Sequence, residues 1–306
     1  MSIRKLWQPL VKTKAILSNM KTMSTYNPTD KKFPPDVIEK FLNRLSKYGN
    51  GDIILEKDNG TGIAVVTVEN HKRKNALTGH MMVALKDVVS ELESWKEGKA
   101  VVLKGHGDTF CSGGDLNAVM KEIGTSDEGR MMCEYMQETL TRFMELPLIS
   151  VAALNGKALG GGAELATACD FRLMADNAEI GFVQSKLGIS TGWGGGSRLV
   201  KIVGKRRALQ LLTTAKIMQY EEAIKLGLAD ALLDRKEDVT ACCVDWLQGG
   251  GFLHAHPKVV QTMKQISVNA DDMSLRDALD EERDLFAALW GGVLHKEALE
   301  RKIKHR

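Results

Sequence analysis

From Gly51 onward, apolar residues recur in short runs and periodic stripes that predict discrete elements. Residues 53–56 and 63–68 read as two strands joined by the turn Asp58-Asn59-Gly60. After a loop at 70–77, Thr78 stands where a helix N-cap belongs. Met81, Met82, Leu85, Val88, Val89, Leu92 and Trp95 then keep the 3.6-residue period. Residues 100–103 form a short, wholly apolar strand that runs into a glycine-rich turn and then a helix. A helix follows at 131–145, ended by Pro147. Residues 148–154 repeat the motif: a buried strand, a second glycine-rich turn, and a helix at 163–168. A strand at 171–175 comes next. After Gly196 the strand signal almost vanishes, and helices are expected at 197–203, 205–213, 220–226, 236–247, 257–268, 274–289 and 295–302. The pattern is α/β with mostly parallel pairing, followed by a helical C-terminal region. Residues 1–50 carry four prolines and one short amphipathic helix at 37–45. The expected organisation is an N-terminal extension (1–50), an α/β core (51–196) and a helical region (197–306).

Glycine changes this picture. Thirteen of the 29 glycines fall within three segments, 105–114, 156–162 and 188–196. Glycine packed this densely suggests backbone brought close to something. Charge changes it too. The formal net charge is +3, yet residues 1–29 hold five bases and no acid, so the remainder is slightly acidic. A body of that sign gives no support to nucleic-acid binding. The basic, acid-free start reads as a mobile tail or, alternatively, a mitochondrial targeting segment. The longest apolar stretches fall far short of the roughly 20 residues of a membrane span. Five irregularly spaced cysteines make a disulfide framework improbable and suggest a reduced, intracellular protein.

Several familiar motifs fail. Gly105-His106-Gly107 lacks the third glycine of a dinucleotide fingerprint, and no glycine loop ends in Gly-Lys-Ser/Thr. Cys242, Cys243, His254 and His256 match no usual zinc spacing. Ser112 does not sit in a Gly-x-Ser-x-Gly elbow. What remains is a pair of strand-to-helix turns with bare backbone, at 110–116 and 155–165. Unpaired N–H groups at a helix start point outward. Two such turns facing each other would offer two donors to one oxygen, an oxyanion hole built without side chains. For one turn alone, tight packing is the plainer explanation. Two in one α/β chain favour the oxyanion reading.

Arg73-Lys74-Asn75-Ala76-Leu77, Phe110-Cys111-Ser112-Gly113-Gly114-Asp115-Leu116 and Asn155-Gly156-x-x-x-Gly160-Gly161-Gly162-x-Glu164-Leu165 resemble, in order and spacing, the signature blocks of the enoyl-CoA hydratase/isomerase (crotonase) superfamily. The resemblance covers roughly residues 52–302. It implies a crotonase-like ββα spiral core with a helical C-terminal trimerisation region, assembled as a homotrimer or homohexamer. It implies a coenzyme A thioester as substrate, with coenzyme A part of that substrate and no further cofactor or metal. The backbone N–H groups of Ser112 and Gly161 would bind the thioester oxygen. Lys72, Lys74, Ala76, Gly113, Gly114, Asp115, Leu116, Gly160 and Gln184 would contact substrate or its coenzyme A arm.

The reaction turns on two positions. Hydratases of this superfamily activate water with two glutamates. Glu164 matches the first, where a helix N-terminal acid favoured by the dipole is the plainer alternative. The second position holds Gln184, and an amide is no general base. An isomerase needs one base, and a decarboxylase needs none for its first step. Within the superfamily, the chain most resembles the branch that decarboxylates ethylmalonyl-CoA and also methylmalonyl-CoA. The extended N-terminus, residues 171–174, 188–195, 282–286 and 289–292 carry that likeness. It implies a cytosolic metabolite-repair enzyme, with Ser112 and Gly161 stabilising the enolate and Glu164 handling a proton or orienting the substrate. The alternatives are an enoyl-CoA isomerase or hydratase, a non-enzymatic acyl-CoA binder, and an RNA binder.

Overall fold

The computed structural model describes residues 33–115, 123–234 and 238–301. Leu116 and most of the helix expected after the first glycine turn lie outside these residues. Internal contacts divide the chain into Met1–Glu39 and Lys40–Arg306, and the sheets and glycine turns all belong to the second unit.

A helix, α1 (Pro35–Leu45), precedes a hairpin of β1 (Asp52–Asp58) and β2 (Ile63–Glu69), paired antiparallel with Asp52 opposite Glu69. Thr78 caps α2 (Gly79–Glu93) by accepting the Met81 N–H, and the apolar stripe read from sequence is buried. The strand β3 (Ala100–Gly105), the helix α3 (Ser126–Met144) and the strand β4 (Ile149–Leu154) follow. Then come β5 (Ala158–Leu159), α4 (Gly161–Ala166), β6 (Phe171–Ala175) and β7 (Glu179–Gly181). The rest is α5 (Gly195–Val203), α6 (Lys205–Thr214), β8 (Ile217–Gln219), α7 (Tyr220–Leu226), β9 (Ala231–Leu233), and four helices. These are α8 (Val239–Gly249), α9 (Pro257–Asp272), α10 (Leu275–Ala287) and α11 (Val293–Glu300).

The main sheet runs β1-β2-β3-β4-β6-β9, parallel from β2 onward. Strands β3 and β4 are apolar without alternation because both faces are covered. At the sheet edge β1 is largely exposed and ends in Glu56-Lys57-Asp58, charges that discourage pairing with another chain. A small second sheet, β5-β7-β8, stands beside it. No helix among the described residues is long and apolar enough to cross a membrane.

The elements after Gly196 differ from expectation in one respect. Strands β8 and β9 occur in a stretch read as helical, and β9 pairs in parallel with β6, Met174 opposite Leu232. At three residues each, they are too short to show a period. The helix α3 also starts five residues earlier than expected. Thr125 and Glu128 form a capping box, each satisfying the other's backbone N–H. Thr125→Ala is expected to cost about 1 kcal/mol, seen as a lower midpoint in urea with an unchanged slope.

Candidate functional site

Backbone hydrogen bonds lace the three motif blocks together. Cys111 donates its N–H to the Lys157 carbonyl at 3.0 Å and accepts the Leu159 N–H at 3.0 Å. Leu77 donates to Gly113 O at 2.8 Å, and Asp115 donates to Leu77 O at 2.8 Å. Both glycine turns therefore sit side by side at the ends of parallel strands. The approach is close enough to demand glycine. A β-carbon on Gly162 would lie 2.7 Å from the Cys111 carbonyl carbon and closer still to its oxygen. Gly113 has φ +102°, and a β-carbon there would lie 3.0 Å from Gly161 N.

The two expected oxygen-binding amides differ. The Gly161 N–H opens α4 and has no acceptor among the described residues. The Ser112 N–H does not point into open space: it donates to Lys74 O at 3.1 Å. The loop turns left-handed at Lys74 (φ +54°) and Asn75 (φ +55°), and Asn75 anchors it by donating to His106 O at 2.8 Å and Thr109 O at 2.6 Å. The Ser112 hydroxyl donates to Arg73 O at 3.2 Å.

Glu164 is 3% exposed, and its carboxylate is fully occupied. Oε1 accepts from Gln184 Nε2 at 2.8 Å and Gly192 N at 3.3 Å; Oε2 accepts from Trp193 N and Gly195 N, both at 2.8 Å. Burial lifts this carboxyl above the usual range, and the Gly195, Trp193 and Gly192 amides and the Arg198 charge pull it back. Four N–H donors thus engage the Glu164 carboxylate, the group expected to handle a proton or orient the substrate. Through three of them it ties residues 192–195 to α4. Arg198 supports the same loop, donating from Nη2 to Glu164 O and Trp193 O, both at 2.9 Å.

The remaining candidates divide by exposure. Lys72 and Lys74 are exposed beside the turns. Ala76 is buried and its carbonyl accepts from Asn70 Nδ2 at 2.8 Å. Asp115 is buried and lies 3.8 Å from Arg73 Nε. Gly160 donates its N–H to Gly181 O at 2.9 Å. Gly114 faces the Trp193 ring. Gln184 Oε1 is buried without a partner among the described residues. The sequence reading missed Gly192, Gly195 and Arg198. The first two act through backbone amides, which leave no side-chain signature. The signal for Arg198 was a base on the apolar stripe of a helix.

Gln184→Glu places two carboxyls in hydrogen-bond contact, and such a pair keeps one proton well above the usual carboxylate range. Its folded form then binds that proton more tightly than the unfolded chain. The added stability is present at low pH and is lost as pH rises through the raised value, by up to about 1.4 kcal/mol per pH unit. Denaturant titrations across pH, set against the parent chain, measure it.

Comparison with known proteins agrees with this geometry. The family model for enoyl-CoA hydratase/isomerase matches residues 58–301. Ethylmalonyl-CoA decarboxylase of Gallus gallus is 43% identical over 98% of this chain and 99% of that protein. The Xenopus laevis protein of the same name is 44% identical over 87% and 88%. Among solved structures, an enoyl-CoA hydratase from Bacillus anthracis superposes with TM-score 0.71 at 25% identity, covering 80% of this chain and 94% of that one. A Thermobifida fusca homologue of the hydratases, solved in complex with CoA, gives 0.67 at 26% over 86% and 97%. The glycine turns, their lacing and the match over most of the chain place this protein in the enoyl-CoA hydratase/isomerase family.

Proposed function

We propose that the chain decarboxylates short 2-carboxyacyl-CoA thioesters, converting ethylmalonyl-CoA to butyryl-CoA and also accepting methylmalonyl-CoA. One observation carries this reading. The carboxylate that could activate water is saturated by four N–H donors, with an amide where a second carboxylate would stand, while the Gly161 N–H is open. Such a site is ill-suited to activating water and suited to holding an oxyanion. Decarboxylation asks only for the second. The C–C bond pair moves into the thioester as CO2 leaves, giving an enolate, and a proton then reaches the α-carbon. Gly161 donates to the enolate oxygen, and Ser112 shares its N–H between that oxygen and Lys74 O as a three-centre bond. Each such donor is worth about 3–4 kcal/mol. Lys72 and Lys74, both exposed, pair with the phosphates of the coenzyme A arm, which arrives with the substrate. The activity named for the Gallus gallus and Xenopus laevis relatives supports the assignment. The same reading makes the protein a cytosolic metabolite-repair enzyme, assembled as a homotrimer or homohexamer.

Mass spectrometry of ethylmalonyl-, methylmalonyl-, malonyl- and crotonyl-CoA after incubation tests it. Loss of CO2 from the first two is expected. Addition of water to crotonyl-CoA, with the malonyl thioesters intact, would replace it with a hydratase.

A further inference from the structure

Trp193 sits in the third glycine segment and is 5% exposed. The six-membered part of its indole lies against both motif turns. A β-carbon on Gly161 would lie 2.7 Å from Cη2 and 2.8 Å from Cε3. One on Gly114 would lie 3.5 Å from Cζ2 and 3.8 Å from Cη2, with Met82 Cε at 3.9 Å. The ring thus fills the space that side chains on those two turns would otherwise take. Its backbone is tied on both sides, the N–H to Glu164 Oε2 at 2.8 Å and the carbonyl to Arg198 Nη2 at 2.9 Å. Next to it, Gly192 O accepts from Gln137 Nε2 at 2.8 Å. The polar groups around the loop therefore converge on holding one apolar plate beside one open amide.

We propose that Trp193 is the wall of the acyl pocket and limits the length of the alkyl arm on the substrate α-carbon. The inference rests on the thioester reading above. An oxygen held by the Gly161 N–H at about 2.9 Å has the α-carbon two bonds beyond it. The arm on that carbon meets the indole within its first few carbons. An ethyl arm packs against the ring, and a longer arm collides with it. In an apolar pocket each methylene changes discrimination by about tenfold or more.

The test compares the parent chain with Trp193→Phe and Trp193→Ala. CO2 release is measured from ethylmalonyl- and butylmalonyl-CoA. Equilibrium binding is measured by calorimetry for butyryl-CoA and hexanoyl-CoA, which carry the same two arms and cannot lose CO2. In Trp193→Ala, the preference for the short arm is expected to fall by about tenfold or more in both readouts, with a smaller shift in Trp193→Phe. Unchanged binding preference in both variants overturns the proposal. If Trp193→Ala does not fold, Trp193→Phe decides alone, and no shift in it overturns the proposal. A parent chain that binds both thioesters and releases no CO2 removes the decarboxylase reading, while the binding arm still decides the role of Trp193.

Discussion

Glu164→Ala is expected to destabilise the protein by about 4 kcal/mol, because it strips the acceptor from several buried N–H donors at once. For a chain of this size that lowers the melting temperature by on the order of 10 °C. Gln184 Nε2 and the amides of Gly192, Trp193 and Gly195 all lose their partner. The buried Arg198 loses the charge that opposes its own desolvation. Glu164→Gln should be milder, at about 1–3 kcal/mol. The new side chain keeps one oxygen for Trp193 and Gly195. Its NH2 meets Gln184, whose buried Oε1 has no partner among the described residues and can turn to accept. Only the Gly192 N–H is then left facing a donor. Calorimetry and CO2 release on both variants separate support from proton transfer. If Glu164 only supports the loop, activity falls in step with stability and Glu164→Gln keeps much of it. A Glu164→Gln variant with parental melting temperature and a loss of about 10²–10⁴ in kcat would assign it the proton-handling role.

The parts of the fold that were readable from sequence are those with a period long enough to count. The stripe of α2 and the apolar runs of β3 and β4 have that length. So do the seven helices after Gly196, and their positions stand within a few residues of expectation. Strands β5, β7, β8 and β9 have two or three residues, and only their neighbours define them. The site divides in the same way. Glycine density exposed the two turns, because close backbone approach excludes a β-carbon. Glu164 was visible as an acid beside them. Its partners were not, because three of the four groups that occupy it are main-chain amides contributed from residues 192–195. The engagement of the Ser112 amide depends on a left-handed turn at Lys74 and Asn75, two residues with no glycine to announce it. Trp193 stood out only as part of a family likeness. Its contact with both turns depends on long-range folding of the third glycine segment onto the first two.

Gly162→Ala is expected to be more damaging than any side-chain deletion in the site, although it adds a single methyl group. The new carbon would lie 2.7 Å from the carbonyl carbon of Cys111 and 3.0 Å from its Cβ, with the carbonyl oxygen nearer still. The obstacle is backbone, so no rotamer change relieves it. Nor can the Cys111 segment retreat freely. It is bound on both sides to the strand leading into Gly162, through Cys111 N to Lys157 O and Leu159 N to Cys111 O, each at 3.0 Å. Relief requires parting the two turns by about 1 Å, which breaks that lacing. Strain of this kind belongs among the rare substitutions costing on the order of 4–5 kcal/mol. Protein that still folds would carry its open amide out of register with the substrate oxygen, and a 1 Å misplacement costs about 100-fold in rate. Gly129→Ala is the matched control. It lies inside α3 with open space around its β-carbon position, so it should gain about 0.5–1 kcal/mol from helix propensity. Urea unfolding and CO2 release on the two variants should move in opposite directions for stability, with turnover lost only in Gly162→Ala. Parental turnover in a folded Gly162→Ala protein would show that the two turns need not touch for the reaction, and the shared oxygen-binding site would have to be abandoned.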